Sequence, residues 1–212
     1  MTSFDIFDAL NKLDLVKKNY PLWWENAGKF DVIIGSFLTQ QSKWEKVLTS
    51  LENLKSLDLL LPQKIAGADF NILANAISPS GLYNQKAKRL KLFCQNLLEN
   101  FGNEDNFKQN ISRSWLLEQK GVGLETADSI LNYYAFFPTM VVDSYTKRLL
   151  QKLDFIFETY EEMKEWLEFG MLEKMPQITQ DLGIKDYEVF ALFHGLIVEF
   201  SKTKLDPKAL EY

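Results

Sequence analysis

Residues 114–150 read SWLLEQKGVGLETADSILNYYAFFPTMVVDSYTKRLL. A short helix meets Gly121-Val122-Gly123, and a second helix is expected to begin near Glu125. Two glycines one residue apart permit a tight turn without Cβ clashes. With a helix starting straight after them, several backbone N–H groups would converge at its N-terminus, where they can hold a phosphate. An ordinary turn between two helices satisfies the same spacing, so the glycines alone do not separate the two readings. Beyond the second helix, Val141-Val142-Asp143 leads into a helix expected from Ser144, which Asp143 is suited to cap.

Outward from this stretch, apolar residues recur at three- and four-residue spacing, as in Trp44, Val47, Leu48, Leu51 and Leu54, and no segment of strict alternation reaches strand length. The expected fold is all-α, with about nine or ten helices. Breaks are expected at NYP (19–21), LLPQKIAGAD (60–69), SPSG (78–81), GNED (102–105), FFPT (136–139), KMPQ (174–177) and DLGIKD (181–186). The segment YEVFALFHGLIVEF (187–200) is apolar on nearly every face and reads as a helix enclosed by others, with His194 as a hydrogen-bonded core residue.

With 212 residues, 46% of them apolar, the chain can bury a sizeable core as one large domain or two joined lobes. It contains no uncharged apolar run of about 18 residues, and MTSFDIFDALNKLD at the N-terminus carries acids where a signal peptide needs bases. A cytoplasmic protein with no membrane partner is expected. One cysteine and one histidine exclude an internal disulfide and a Cys/His metal cage, so neither metal nor cofactor is expected. Cys94, among Leu90, Phe93, Leu97 and Phe101, reads as a buried structural thiol. The net charge of −5 opposes phosphate binding by the chain as a whole and leaves it to local patches, such as KAKRLK (86–91) and Lys202, Lys204 and Lys208.

The run LLEQKGVGLETADSIL followed by VVDSY resembles the signature of the helix-hairpin-helix DNA glycosylases typified by endonuclease III. FLTQQSKW (37–44) is similar to that family's early helix-turn motif, and SGLYNQKAKRL (80–90) to its G-[FLY]-Y-x-x-K-A pattern. The paired tryptophans, LTQQSKW and the ending HGLIVEFSK (194–202) look most like the bacterial 3-methyladenine glycosylases of the endonuclease III type. The resemblance implies a two-lobed fold with the active site in the cleft between lobes. Residues 30–135 would form a helical barrel, and residues 1–29 with 136–212 the other lobe.

It also implies roles. The backbone of Gly121, Val122 and Gly123 would grip DNA beside the lesion, and Asp143 would be the catalytic residue at the mouth of the base pocket. A glycosylase must flip its nucleotide out of the stack, and Gln41 is the expected plug for the gap. As the glycosidic bond breaks, positive charge builds on the sugar, and a carboxylate near C1′ stabilises it and orients the attacking water. Trp23, Trp24 and Trp44 would line the base pocket, where an aromatic face favours a cationic alkylated purine by roughly 0.5–2 kcal/mol. Glu25 stands where the relatives have proline, and is expected to face the pocket and add attraction for the cation. Lys86 and Lys202 are expected to contact phosphates.

Bifunctional members carry a lysine two residues after the second hairpin glycine, which forms an imine with the sugar. Here that residue is Glu125, so base removal without strand cleavage is expected, acting on double-stranded DNA with an alkylated base, by a monomer. The four cysteines that hold endonuclease III's iron–sulfur cluster are missing. A lysine that follows the His-Gly pair in relatives is Leu196 here, and no arrangement built on it carries over. Competing readings are a bifunctional glycosylase/lyase, a non-catalytic hairpin DNA-binding module and an all-α interaction protein. Glu125 opposes the first and Asp143 with the tryptophans opposes the second; the third leaves the pairing of hairpin and aspartate unexplained.

Overall fold

The computed structural model describes residues 1–211 and is all-α, with no strand among them. The chain divides into two compact units, Met1–Glu25 together with the chain from Phe136 onward, and Asn26–Ala135. The chain opens in the first unit with α1 (Ser3–Asn11), whose Thr2 and Asp5 form a capping box.

The second unit holds α2 (Asp31–Leu38), α3 (Trp44–Ser56), α4 (Pro62–Gly67), α5 (Phe70–Ala76), α6 (Tyr83–Phe101), α7 (Glu104–Asn110), α8 (Arg113–Glu118) and α9 (Leu124–Ser129), which runs on into a π turn at Ile130–Tyr134. The helix DVIIGSFL is buried from Val32 to Leu38 because α3, α6, α9 and the π turn surround it. Along α6, Leu90, Phe93, Cys94 and Leu97 recur at helical spacing and all turn inward. Phe93 meets Phe37 edge-on at 5.2 Å and Trp115 at 5.6 Å, which ties α6 to α2 and α8. Cys94 is fully buried, and burial pushes its thiol up, so it is a packing residue and not a nucleophile.

The chain returns to the first unit through α10 (Ser144–Lys152), α11 (Tyr160–Leu172), α12 (Met175–Leu182) and α13 (Asp186–Ser201). The apolar segment read as an enclosed helix is α13, buried at every residue from Val189 to Val198, with α1, α10 and α12 packed on it. Among the described residues no helix is long and apolar enough to cross a membrane.

Thirteen α-helices stand where about nine or ten were expected, and two prolines account for part of the difference. Pro62 and Pro176, read as breaks, each sit in the first turn of a helix, where proline's fixed φ fits and its missing N–H has no intrahelical partner to lose. Helices α4, α5, α7, α8 and α9 are only six or seven residues long, too short to show a full amphipathic period.

Helix α1 lies close on α11. Ser3 is fully buried and donates its hydroxyl to the Leu167 carbonyl at 2.8 Å, and a Cβ on Gly170 would come within 2.2 Å of that hydroxyl oxygen and 3.2 Å of the Ser3 nitrogen. Gly170→Ala is therefore expected to destabilise the protein by about 1–3 kcal/mol through overpacking. Each kcal/mol corresponds to a melting shift on the order of 2–4 °C for a chain of this size. Thermal unfolding measures it, and an unchanged melting temperature would show that α1 yields without cost.

Candidate active site

In the first unit, the segment before α10 is anchored by buried Met140, Val141 and Val142, with the Met140 N–H donating to Glu168 at 2.8 Å. It delivers Asp143 to the N-cap of α10 with extended backbone. One oxygen, Oδ1, accepts three hydrogen bonds: from the Tyr145 N–H (2.9 Å), the Thr146 N–H (2.8 Å) and the Thr146 hydroxyl (3.0 Å). The other oxygen, Oδ2, lies 3.6 Å from His194 Nε2, a distance for charge interaction more than for a formed hydrogen bond. Burial works against ionisation of Asp143, while His194 and the bonds from Thr146 work for it, and together these hold its carboxyl below the usual aspartate value. The side chain is 13% exposed, so it is desolvated but reachable.

His194 connects this carboxylate to Trp23. The two rings meet edge to face at 5.4 Å and 87°. Trp23 takes a positive φ of 58°, a costly conformation for so large a residue, and is held in it by α13. Its indole Nε1 donates to Glu199 Oε1 at 2.9 Å, and its ring rests where a Cβ on Gly195 would come within 2.6 Å. Trp24 is edge-on to Trp23 at 6.3 Å. Lys202 shares the Glu199 carboxylate at 2.7 Å, and its ammonium is 6.0 Å from the Trp23 ring, so this lysine belongs with the aromatic pair.

Glu25 was expected to offer its charge to a cationic base. Its carboxylate is paired with the Lys18 ammonium. Lys18 is 79% exposed, so this is a surface ion pair.

In the second unit, α2 ends in a tight turn before α3. Gln41 in that turn is exposed with a positive φ of 54°, and Trp44 opens α3, partly buried. The neighbouring Gln40 reaches the hairpin, donating through Nε2 to the Gly121 carbonyl (2.9 Å) and to the Thr126 hydroxyl (3.3 Å). The hairpin joins α8 to α9. Gly121 has a φ of +92° that a side chain would strain, whereas Gly123 is an extended N-cap with open space around it. Only the first glycine is therefore required by the backbone. Val122 is buried and Glu125 exposed in the first turn of α9, favourably placed for the helix dipole. Arg113 and the fully buried Asp128 close the hairpin with a two-pronged ion pair of 2.8 and 3.0 Å.

Lys86 was expected to touch phosphate, and the structure corrects this. It is 3% exposed, and its ammonium donates to the carbonyls of Leu38 and Ser80, both at 2.8 Å, so it caps α2 from inside the unit. Burial lowers its pKa.

Two short helices joined through a glycine turn make a helix-hairpin-helix. Residues 34–170 match the family model described as HhH-GPD superfamily base excision DNA repair protein. A protein of Methanocaldococcus jannaschii assigned as a DNA repair glycosylase is 38% identical over 94% of this chain and 93% of its own. The structure of H. pylori 3-methyladenine DNA glycosylase bound to 1,N6-ethenoadenine superposes with a TM-score of 0.93 at 45% identity, covering 97% of this chain and 99% of that one. An endonuclease III–DNA complex shares the fold, with a TM-score of 0.69 at 19% identity over 94% and 86% of the two chains. The chain belongs to the HhH-GPD superfamily and is a DNA glycosylase of base excision repair.

His194 is buried as expected of a core residue, and nothing in its apolar sequence surroundings signals the Asp143 carboxylate, which comes from a distant segment. Two outcomes test the site. Asparagine caps helices as well as aspartate does, so Asp143→Asn should fold normally and lose base excision. The folded pKa of Asp143 is below the unfolded one, so its charge stabilises the fold above about pH 4 and ceases to as the pH falls through the folded value. The stability gap between wild type and variant, read from denaturant unfolding, should therefore be widest near neutrality and shrink in acid; a constant gap would exclude a charge contribution. Lys86→Met should destabilise by about 1–3 kcal/mol by orphaning buried carbonyls, with no change in the salt dependence of DNA binding.

Proposed function

We propose that this glycosylase hydrolyses the N-glycosidic bond of alkylated purines in duplex DNA, 3-methyladenine above all, and does not cut the strand. The observation that carries the reading is the asymmetric Asp143 carboxylate: Oδ1 is tied by three donors, and Oδ2 is left for chemistry beside His194. As the bond from C1′ to the purine nitrogen breaks, the cationic base takes the electron pair and leaves neutral. A water oxygen bonds C1′, and its proton passes to Asp143. The ionised carboxylate also stabilises the positive sugar in the transition state.

The substrate class is supported by the H. pylori 3-methyladenine DNA glycosylase, 45% identical over nearly the whole chain. Trp23, Trp24 and Trp44 are the aromatic faces proposed for the cationic base, a preference worth roughly 0.5–2 kcal/mol. Alkylation weakens the glycosidic bond, and this lability supplies the remaining selectivity. Gln41 is proposed as the plug, and the backbone at Gly121, Val122 and Gly123, with Lys202, as the grip on DNA. Absence of strand cleavage follows from Glu125, since a carboxylate forms no imine. The protein is proposed to act as a monomer.

Wild type and Asp143→Asn are to be incubated with methylated duplex DNA, the released bases identified by chromatography, and strand breaks scored before alkali. Release of 3-methyladenine by wild type alone, with intact strands, is expected. Breaks before alkali would replace the hydrolytic reading with a lyase, and release of only other bases would overturn the substrate.

A further inference from the structure

Glu199 stands on α13 one turn beyond Gly195, and one oxygen of its carboxylate serves two partners. Oε1 accepts the Trp23 indole N–H at 2.9 Å and the Lys202 ammonium at 2.7 Å. That ammonium also lies 6.0 Å from the centroid of the Trp23 ring. The Glu199 side chain is 29% exposed and that of Lys202 56%, so the ion pair lies at the surface, along the edge of the indole. The ring has other supports, since it packs where a Cβ on Gly195 would stand and meets His194 edge to face.

Both contacts change what the indole can attract. An aromatic face draws a cation because the ring's electron density is concentrated above and below its plane. A carboxylate that accepts the indole N–H polarises the ring and makes that face more negative. Lys202 works in the opposite sense: a bare ammonium so near the ring would compete for its face and repel a second cation. Held on Oε1, it has its charge offset beside the ring. One carboxylate thus strengthens the aromatic face and silences the cation nearest to it.

We propose that Glu199 sets the charge preference of the base site, favouring a cationic base over a neutral base of the same shape by acting through Trp23 and Lys202. It is a positioning residue of the site's electrostatics and touches neither base nor sugar. The inference deepens the proposed function and rests on its assignment of Trp23 to the base pocket.

The experiment compares two short duplexes of one sequence that contain a single A·T pair. One carries 3-methyladenine, a cation, at that pair; the other carries 3-deaza-3-methyladenine, which has the same outline, no charge and no labile glycosidic bond. Single-turnover release at increasing enzyme concentration gives a half-saturating concentration and a limiting rate for the first duplex. Fluorescence anisotropy gives Kd for the second. Glu199→Gln keeps an acceptor for the indole and removes the charge. It is expected to raise the half-saturating concentration on the cationic duplex roughly three- to tenfold. Kd for the neutral duplex should stay within about twofold of wild type, with the limiting rate kept. Lys202→Gln should shift the ratio of the two constants the other way, in favour of the cation. Both duplexes present the same phosphates, so any hold of Lys202 on DNA cancels in that ratio. Equal losses on both duplexes would make Glu199 a brace for the ring and overturn the proposal, as would an unchanged ratio or an effect confined to the limiting rate. If Glu199→Gln fails to fold, Lys202→Gln decides: a ratio that does not move towards the cation overturns the proposal. Absence of 3-methyladenine release by wild type would sink the substrate reading and this inference with it. Release with an unchanged ratio would sink the role of Glu199 alone.

Discussion

Three hydrogen bonds converge on a single carboxylate oxygen at the start of α10, and both the start of that helix and the direction of the carboxylate depend on them. They serve the helix, since two of the donors are backbone N–H groups that would otherwise lack partners. They serve the site too, because an oxygen held by three donors cannot rotate away and the second oxygen is then fixed in direction. The same bonds oppose the neutralising pull of burial. Capping and the catalysis proposed for Asp143 thus call on one geometry: the bonds that start the helix also fix the direction of the carboxylate.

Around that fixed point, α13 acts as a scaffold for both acid and aromatic. His194 faces Asp143 from one side and Trp23 from another, while Gly195 and Glu199 position the indole. Gly195 and Glu199, four residues apart, share one face of this helix, and His194 points from the adjoining one. The second unit is organised on the same plan, with polar side chains spent on backbone. Lys86 holds the end of α2, and Gln40 ties the turn that follows to the hairpin, so the exposed Gln41 directly follows an anchored residue.

The helical class, the hairpin and the capping role of Asp143 are legible because they are local patterns: a 3.6-residue period, a pair of glycines, a capping residue ahead of a helix. What the sequence hid was helix phase and pairing over distance. Lys86 and Arg89 lie in one basic run, yet one faces inward and the other lies on Gly121. Glu25 carries an ion partner, Lys18, that no local pattern signals. Prolines at 62 and 176 read as stops and serve as starts, since the same ring that breaks a helix interior fits its first turn. His194 could not be assigned to the site, because its neighbour Asp143 arrives from another helix.

The contact between Trp23 and Gly195 has a consequence for how sequences of this fold can drift. The indole occupies the space a side chain at 195 would need, so the two positions divide one volume between them. Neither can change size alone: a methyl group gained on α13 must be surrendered from the ring, and a smaller residue at 23 leaves a hollow that only a larger one at 195 could fill. The place of this indole is in this sense written on a loop and a helix from opposite ends of the chain, and the two should vary as a pair.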